Sequence, residues 1–192
     1  MRNAEATRER ILEAAMAEFS TYGIAGARVD RIAKTAGCNK NLIYIYFKNK
    51  ESLFSTILQK HLPRVYEDVA FTAEDLPGYA ARVFDFAMTN PDLMRLMAWF
   101  SLEQKVDSPA ERTTAHDEKV AALLKAQSAG QVGTAFSPSF LLNAIMVLAS
   151  AWTATNPFGP SLNPDAAKNP DALRNAIVRA VSLIANDKKV DN

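Results

Sequence analysis

The sequence predicts an all-α fold: three helices at the N-terminal end, joined through a fourth to a body of five more. Three observations carry this. No stretch alternates apolar and polar residues with period two for long enough to make a strand. Apolar residues recur instead three and four apart along most of the chain. The breaks between those runs hold residues that begin and end helices, with Asn90-Pro91, Ser137-Pro138 and Asn169-Pro170 as starts and Gly23 and Gly37 as stops.

The first helix is expected from about Ala4 to Thr21, where Ile11, Ala15 and Phe19 make one apolar stripe with Leu12 and Met16 beside it. Tyr22-Gly23 ends it. A short helix from about Arg28 to Ala36 buries Val29, Ile32, Ala33 and Ala36 and stops at Gly37. Asn39 is placed to cap the next, which carries Ile43, Tyr44, Tyr46 and Phe47. Asn49 caps a long helix from Lys50 with Leu53, Phe54, Ile57, Leu58 and Leu62 inward. Pro63 should end that helix near His61, or kink it so that it resumes toward Phe71. Helical pattern returns over Leu76–Thr89, Pro91–Gln104, Glu111–Ser128, Pro138–Thr155 and Pro170–Asn186, with the proline-rich Asn156–Pro164 as a loop. Residues 1–47 then form one domain and 48–192 another.

With 192 residues, 48% of them apolar, the chain can bury a real core. No apolar run is long enough to cross a bilayer, and no secretion signal is visible. A single cysteine, Cys38, fits a cytoplasmic protein. The net charge of +1 hides an asymmetry: residues 1–60 hold ten Lys and Arg against six Asp and Glu, the remainder twelve against fifteen. A basic end on a mildly acidic body suits a protein that turns one face to phosphates.

The third helix is too short to stand without a brace, and lysines bracket it. Such a helix can be held with its outer face in the major groove of DNA. Ile43 and Phe47 point inward, leaving Lys40, Asn41, Leu42, Ile45 and part of Tyr44 outward. Leu42 and Ile45 can meet thymine methyl groups, or one of them can pack beneath the helix. Lys40, Lys48 and Lys50, with Arg28 and Arg31 from the preceding helix, are candidate phosphate contacts. Tyr44 is read as a DNA contact, and Tyr46 as sharing its time between DNA and core.

These elements together resemble the TetR family of bacterial transcriptional regulators. The family's F-x-x-x-G falls at Phe19 to Gly23, its helix-turn-helix at Val29–Gly37 with Asn39–Phe47, and its Y-x-Y-F-x-x-K-E-x-L-F junction at Tyr44 to Phe54. The resemblance covers about Arg10 to Phe54. It implies that Tyr44 and Lys48 approach the phosphate backbone and that Lys50 starts the fourth helix. It also implies a homodimer that represses from a palindromic double-stranded DNA operator. Asn41 and Leu42 stand where the family commonly has Gly or Ala and Ser or Thr, so the base preference does not transfer.

The body offers two surfaces. Phe84, Met88, Met94, Met97, Trp99 and Phe100 gather large soft side chains, as an adaptable pocket for a small, largely apolar effector does. Plain core packing is the other reading of the same residues. His116 is a candidate polar group in that pocket. On the last two long helices, Leu141, Ile145, Leu148 and Trp152 face one way, and Leu173, Ile177, Val181 and Ile184 another. They are candidates for a four-helix dimer interface, which the resemblance also implies. An enzyme is the competing class. His61 and His116 have no second ligand at metal-site spacing and no phosphate-cradling glycine loop is present, so no catalytic residue, metal or cofactor is expected.

Overall fold

Helix-forming runs and their caps give ten helices among the described residues of the computed structural model, which are 2–67, 69–104, 110–165 and 168–187. They are α1 (Arg2–Gly26), α2 (Val29–Ala36), α3 (Lys40–Phe47), α4 (Lys50–Glu67), α5 (Leu76–Thr89), α6 (Pro91–Glu103), α7 (Ala110–Ser128), α8 (Pro138–Ser150), α9 (Phe158–Leu162) and α10 (Pro170–Asn186). Four of the expected caps act as the sequence suggests, while the Asn90 side-chain amide donates instead to the Phe86 carbonyl at the end of α5. Asn39 accepts from the Asn41 amide, Asn49 from Ser52, Ser137 from Phe140 and Asn169 from Ala172. Asp75 does the same for Gly78 at the start of α5.

Several boundaries differ from the expectation, among them the end of α8, at Ser150 rather than Thr155. Gly23 breaks α1 with φ 68 and ψ −178, but a further helical turn follows it to Gly26. Of the two courses left open at Pro63, helix α4 takes the continuing one and runs to Glu67. Its N-terminal turns bury Leu53, Phe54, Ile57 and Leu58, which offsets the hydrogen bond that proline cannot make. Leu62 has its side chain outside the described residues. The segment read as a proline-rich loop contains α9, whose Gly159 sits against the Ala151 carbonyl where a Cβ would collide.

The chain forms two compact units, Met1–Pro63 with Asp92–Ser108, and Arg64–Pro91 with Pro109–Asn192. In the first, Ile11, Leu12, Ala15 and Phe19 of α1 pack with Ile32, Ile43, Phe47 and the buried side of α4, and the Phe19 and Phe54 rings meet edge to face at 5.2 Å. Helix α6 belongs to this unit. Arg95 Nε and Trp99 Nε1 both donate to the Ser20 carbonyl, at 3.1 and 3.2 Å, and Glu103 Oε2 accepts from the Ala25 amide at 2.9 Å. These groups satisfy the backbone that the break at Gly23 would leave without partners.

In the second unit α5 is central and packs on α8 and α10. Its core joins Leu76, Tyr79, Ala80 and Phe84 to Leu123, to Leu141 and Ile145, and to Leu173, Ile177 and Val181. Among the described residues no helix is long and apolar enough to cross a membrane.

Candidate nucleic-acid interface

The helix-turn-helix is fixed by local chemistry. Gly37 takes φ 62, ψ 42, the left-handed cap that glycine adopts most cheaply. Its amide donates to Lys34 and that of Cys38 to Ala33, which closes the end of α2. Asn39 opens α3 at once. Cys38 is half-buried in the turn.

One carboxylate organises this unit from within. Glu18, only 9% exposed, accepts from the Arg28 amide at 2.8 Å and from Arg31 Nε at 2.8 and 3.1 Å, with Arg31 Nη2 at 2.6 Å. Arg31 also donates to the Gly26 carbonyl and lies over the Tyr22 ring at 4.2 Å. Arg31 is therefore a strut between α1 and α2, where the sequence suggested a phosphate contact. Burial acts to raise the Glu18 pKa, but the hydrogen bonds from Arg31 and Arg28 and the charges of both arginines outweigh it and hold the carboxyl below its ordinary range. A depressed native pKa means the unfolded chain binds more protons as pH falls. This support is intact at neutral pH and is lost as pH drops from the ordinary carboxylate range through the lowered native value. Glu18→Gln should flatten the acid limb of thermal melting. Equal slopes of Tm against pH in the two proteins would remove Glu18 from that role.

On α3, Ile43 and Phe47 are buried as expected, and Lys40, Asn41, Tyr44 and Ile45 are exposed. The two apolar candidates separate: Leu42 is half-buried, while Ile45 is 72% exposed. Tyr46 is half-buried and its hydroxyl donates to the Ala4 carbonyl at 3.3 Å. Arg28 is exposed. Lys50 is half-buried, with its ammonium on the carbonyls of Ala25 and Ala27 at 3.3 and 3.1 Å. It closes the α1–α2 turn in the position read from sequence as a phosphate contact.

Lys48 is exposed and sits at φ 63, ψ −55. The Asn49 amide donates across it to the Phe47 carbonyl at 2.7 Å, a tight turn that L-residues adopt only under strain. Lys40 pairs with Asp30 at 2.8 Å. Asp30 and Glu18 are contributions that sequence spacing did not reveal, because each pairs with a residue ten or thirteen positions away across a turn.

The candidate effector residues divide. Phe84 is buried in the core of the second unit and Met88 packs on it, with His116 half-buried on α7. Met94 and Met97 are half-buried on α6 in the first unit, Phe100 is buried there, and the Trp99 indole is the donor to Ser20. The second unit also holds an unforeseen polar node. Lys119 Nζ donates to the Tyr79 hydroxyl at 3.0 Å and lies near the Phe71 and Tyr79 rings, and burial pushes the ammonium pKa down.

The candidate dimer residues divide by burial. Leu141, Ile145, Leu173, Ile177 and Val181 lie in the protomer's own core. Leu148, Trp152 and Ile184 are half-buried. Solvent meets other apolar groups of these helices, Phe140 and Val147 on α8 and Leu183 on α10.

Among the described residues, no three His, Cys, Asp or Glu side chains gather as metal ligands. Residues 11–57 match the family model described as bacterial regulatory proteins, tetR family, and residues 75–182 match the tetracyclin repressor-like C-terminal domain. The chain is 36% identical over 189 residues to the HTH-type transcriptional repressor SCO4008 of Streptomyces coelicolor, covering 96% of this chain and 98% of that protein. It is 31% identical over 109 residues to the repressor NicS of Pseudomonas putida, about half of each chain (53% and 51%). The crystal structure of the regulator SCO4942 from Streptomyces coelicolor superposes with a TM-score of 0.80 at 35% identity, covering 93% of this chain and 98% of that one. A regulator from Marinobacter aquaeolei, at 19% identity and a TM-score of 0.71 over 98% of this chain and 100% of its own, shares the fold.

Proposed function

Because this chain belongs to the TetR family of bacterial transcriptional regulators, we propose that it is a cytoplasmic repressor released by a ligand. It binds a palindromic operator as a homodimer and leaves when a small, largely apolar effector is bound. The observation that carries the reading is α3 itself, which presents Tyr44 and Ile45 to solvent between Lys40 and Lys48 on a helix held rigidly by Ile43 and Phe47. The name of the Streptomyces coelicolor relative, a transcriptional repressor, supports repression. Residues 1–47 hold the DNA-binding work in this reading, and 48–192 the effector and the partner. The soft side chains of Phe84 and Met88 within the second unit support an apolar effector.

Selection from a random duplex library tests the operator. The recovered site should be an inverted repeat whose half-sites lie one turn, ~34–36 Å, apart. Selection of no symmetric site by folded protein would defeat the reading. Within that operator the contacts divide their work. Lys48→Ala should weaken every duplex alike and make the slope of log affinity against log salt shallower by about 0.9. Ile45→Ala should act at a single A·T step, where it removes about 1–2 kcal/mol of preference for the thymine methyl. Isotherms on single-base operator variants separate the two. An unchanged preference in the isoleucine variant would show that Ile45 is not the residue that reads.

A further inference from the structure

Helix α3 begins with positive charge. Lys40 is its first residue, and no acidic residue stands in its first turn, so the lysine's charge adds to the positive end of the helix dipole. Arg28 is exposed just before α2. This is where a phosphate would be drawn. Yet the group beside Lys40 is a carboxylate of the chain itself. Asp30, in the first turn of α2, reaches over the turn to put Oδ1 2.8 Å from Lys40 Nζ.

Stability does not account for the pair. Both side chains are about half exposed (46% for Lys40, 58% for Asp30), and ion pairs between such groups contribute little to folding. The hydrogen bond and charge of Lys40, with the nearby Arg28, hold the Asp30 carboxyl below its ordinary range, so it remains ionised at neutral pH. A fixed negative charge on a surface built to meet a polyanion weakens binding, unless it is useful to bind weakly.

We infer that Asp30 is a specificity-determining residue, its carboxylate standing in for a DNA phosphate at Lys40 and withholding that lysine from sequence-independent binding. The inference rests on DNA binding through α3. Non-specific complexes are held almost wholly by phosphate contacts, and a phosphate there gains from Lys40 only what exceeds the carboxylate already at 2.8 Å. At the operator, base contacts bring α3 fully into the groove, and a seated phosphate can take Lys40 over. Asp30 therefore lowers background binding more than operator binding.

The test is a double-mutant cycle on the full-length protein, with Asp30→Asn and Lys40→Met, read on a scrambled-sequence duplex and on the selected operator over several salt concentrations. Asp30→Asn should tighten the scrambled duplex several-fold and the operator less, and should steepen the non-specific salt slope by about 0.9, the value of one added phosphate contact. Lys40→Met should leave the non-specific slope unchanged when Asp30 is present and cancel the gain when it is not. Purely additive effects would overturn the inference, since Asp30 would then act only through general charge. So would unchanged or weaker non-specific binding by Asp30→Asn, with circular dichroism showing the variant folded. If wild type binds neither duplex, DNA binding through α3 fails as well, an outcome distinct from either of these.

Discussion

Ile177→Glu is expected to yield no folded protein, whereas Leu183→Glu, six residues along the same helix, should fold and fail to pair. Ile177 is 3% exposed and lies in the core where α10 meets α5, and Leu183 is 68% exposed. An unpaired carboxylate in that core costs on the order of 3–5 kcal/mol by analogy with broken buried pairs, and the lost isoleucine packing about 2–5 more, together most or all of a domain stability of about 5–15. The core cluster that holds Ile177 is built of hydrophobic residues. At position 183 the same charge stays in water within the protomer and meets resistance only where a second copy covers it. Circular dichroism and sedimentation separate the outcomes. A folded, monomeric Ile177→Glu protein would place this residue at the interface after all, and an intact dimer of Leu183→Glu would exclude the outer face of α10.

The second large effect is expected at Gly23. Its φ of 68 with ψ near 180 belongs to a region essentially reserved for glycine, and occupying it with another residue costs ~1–3 kcal/mol. Space adds to the cost. A Cβ there would stand 2.8 Å from the Trp99 ring and closer still to a Glu103 carboxylate oxygen, so relief requires both side chains to leave the places from which they bond the end of α1. Gly23→Ala should therefore cost about 3 kcal/mol or more and weaken operator binding, because α2 follows directly from this break. Gly37→Ala is the control. It shares the left-handed φ but meets nothing within 4 Å, so only the backbone term of ~1–2 kcal/mol applies. Denaturant unfolding of the two variants that ranked Gly37→Ala as equal or worse would refute this account of Gly23.

What the sequence made legible follows from the range over which each signal acts. Helix limits were readable because caps are local: Asn39, Asn49, Ser137 and Asn169 each bond an amide two or three residues on. The inward pair Ile43 and Phe47 was readable because four-residue spacing fixes a face. Spacing does not say what a face meets. Ile177 and Leu183 both lie on apolar stripes of α10, and only the tertiary arrangement distinguishes core from surface. The same holds for the cations. Arg31 and Lys50 looked as available as Lys48, but Glu18 and the carbonyls of Ala25 and Ala27 engage them, and these partners lie 13 to 25 residues away in the chain. Helix α9 was missed because Pro157 and Pro160 suggest a loop, although proline is tolerated around a helix's first turn.

The attachment of Arg95, Trp99 and Glu103 to the end of α1 bears on how such regulators could be recombined. A chimera spliced after residue 47, or anywhere before α6, would carry the reading helix into a new protein without the side chains that hold its base. The Ser20 carbonyl would lose both donors, and the Ala25 amide its acceptor. The transplantable module is discontinuous, comprising Met1–Pro63 together with the α6 stretch from Asp92 to Glu103. Exchange of DNA specificity between members of this architecture should therefore succeed when the two segments travel as a pair, or when the recipient's sixth helix offers an arginine, a tryptophan and a glutamate at the same spacing.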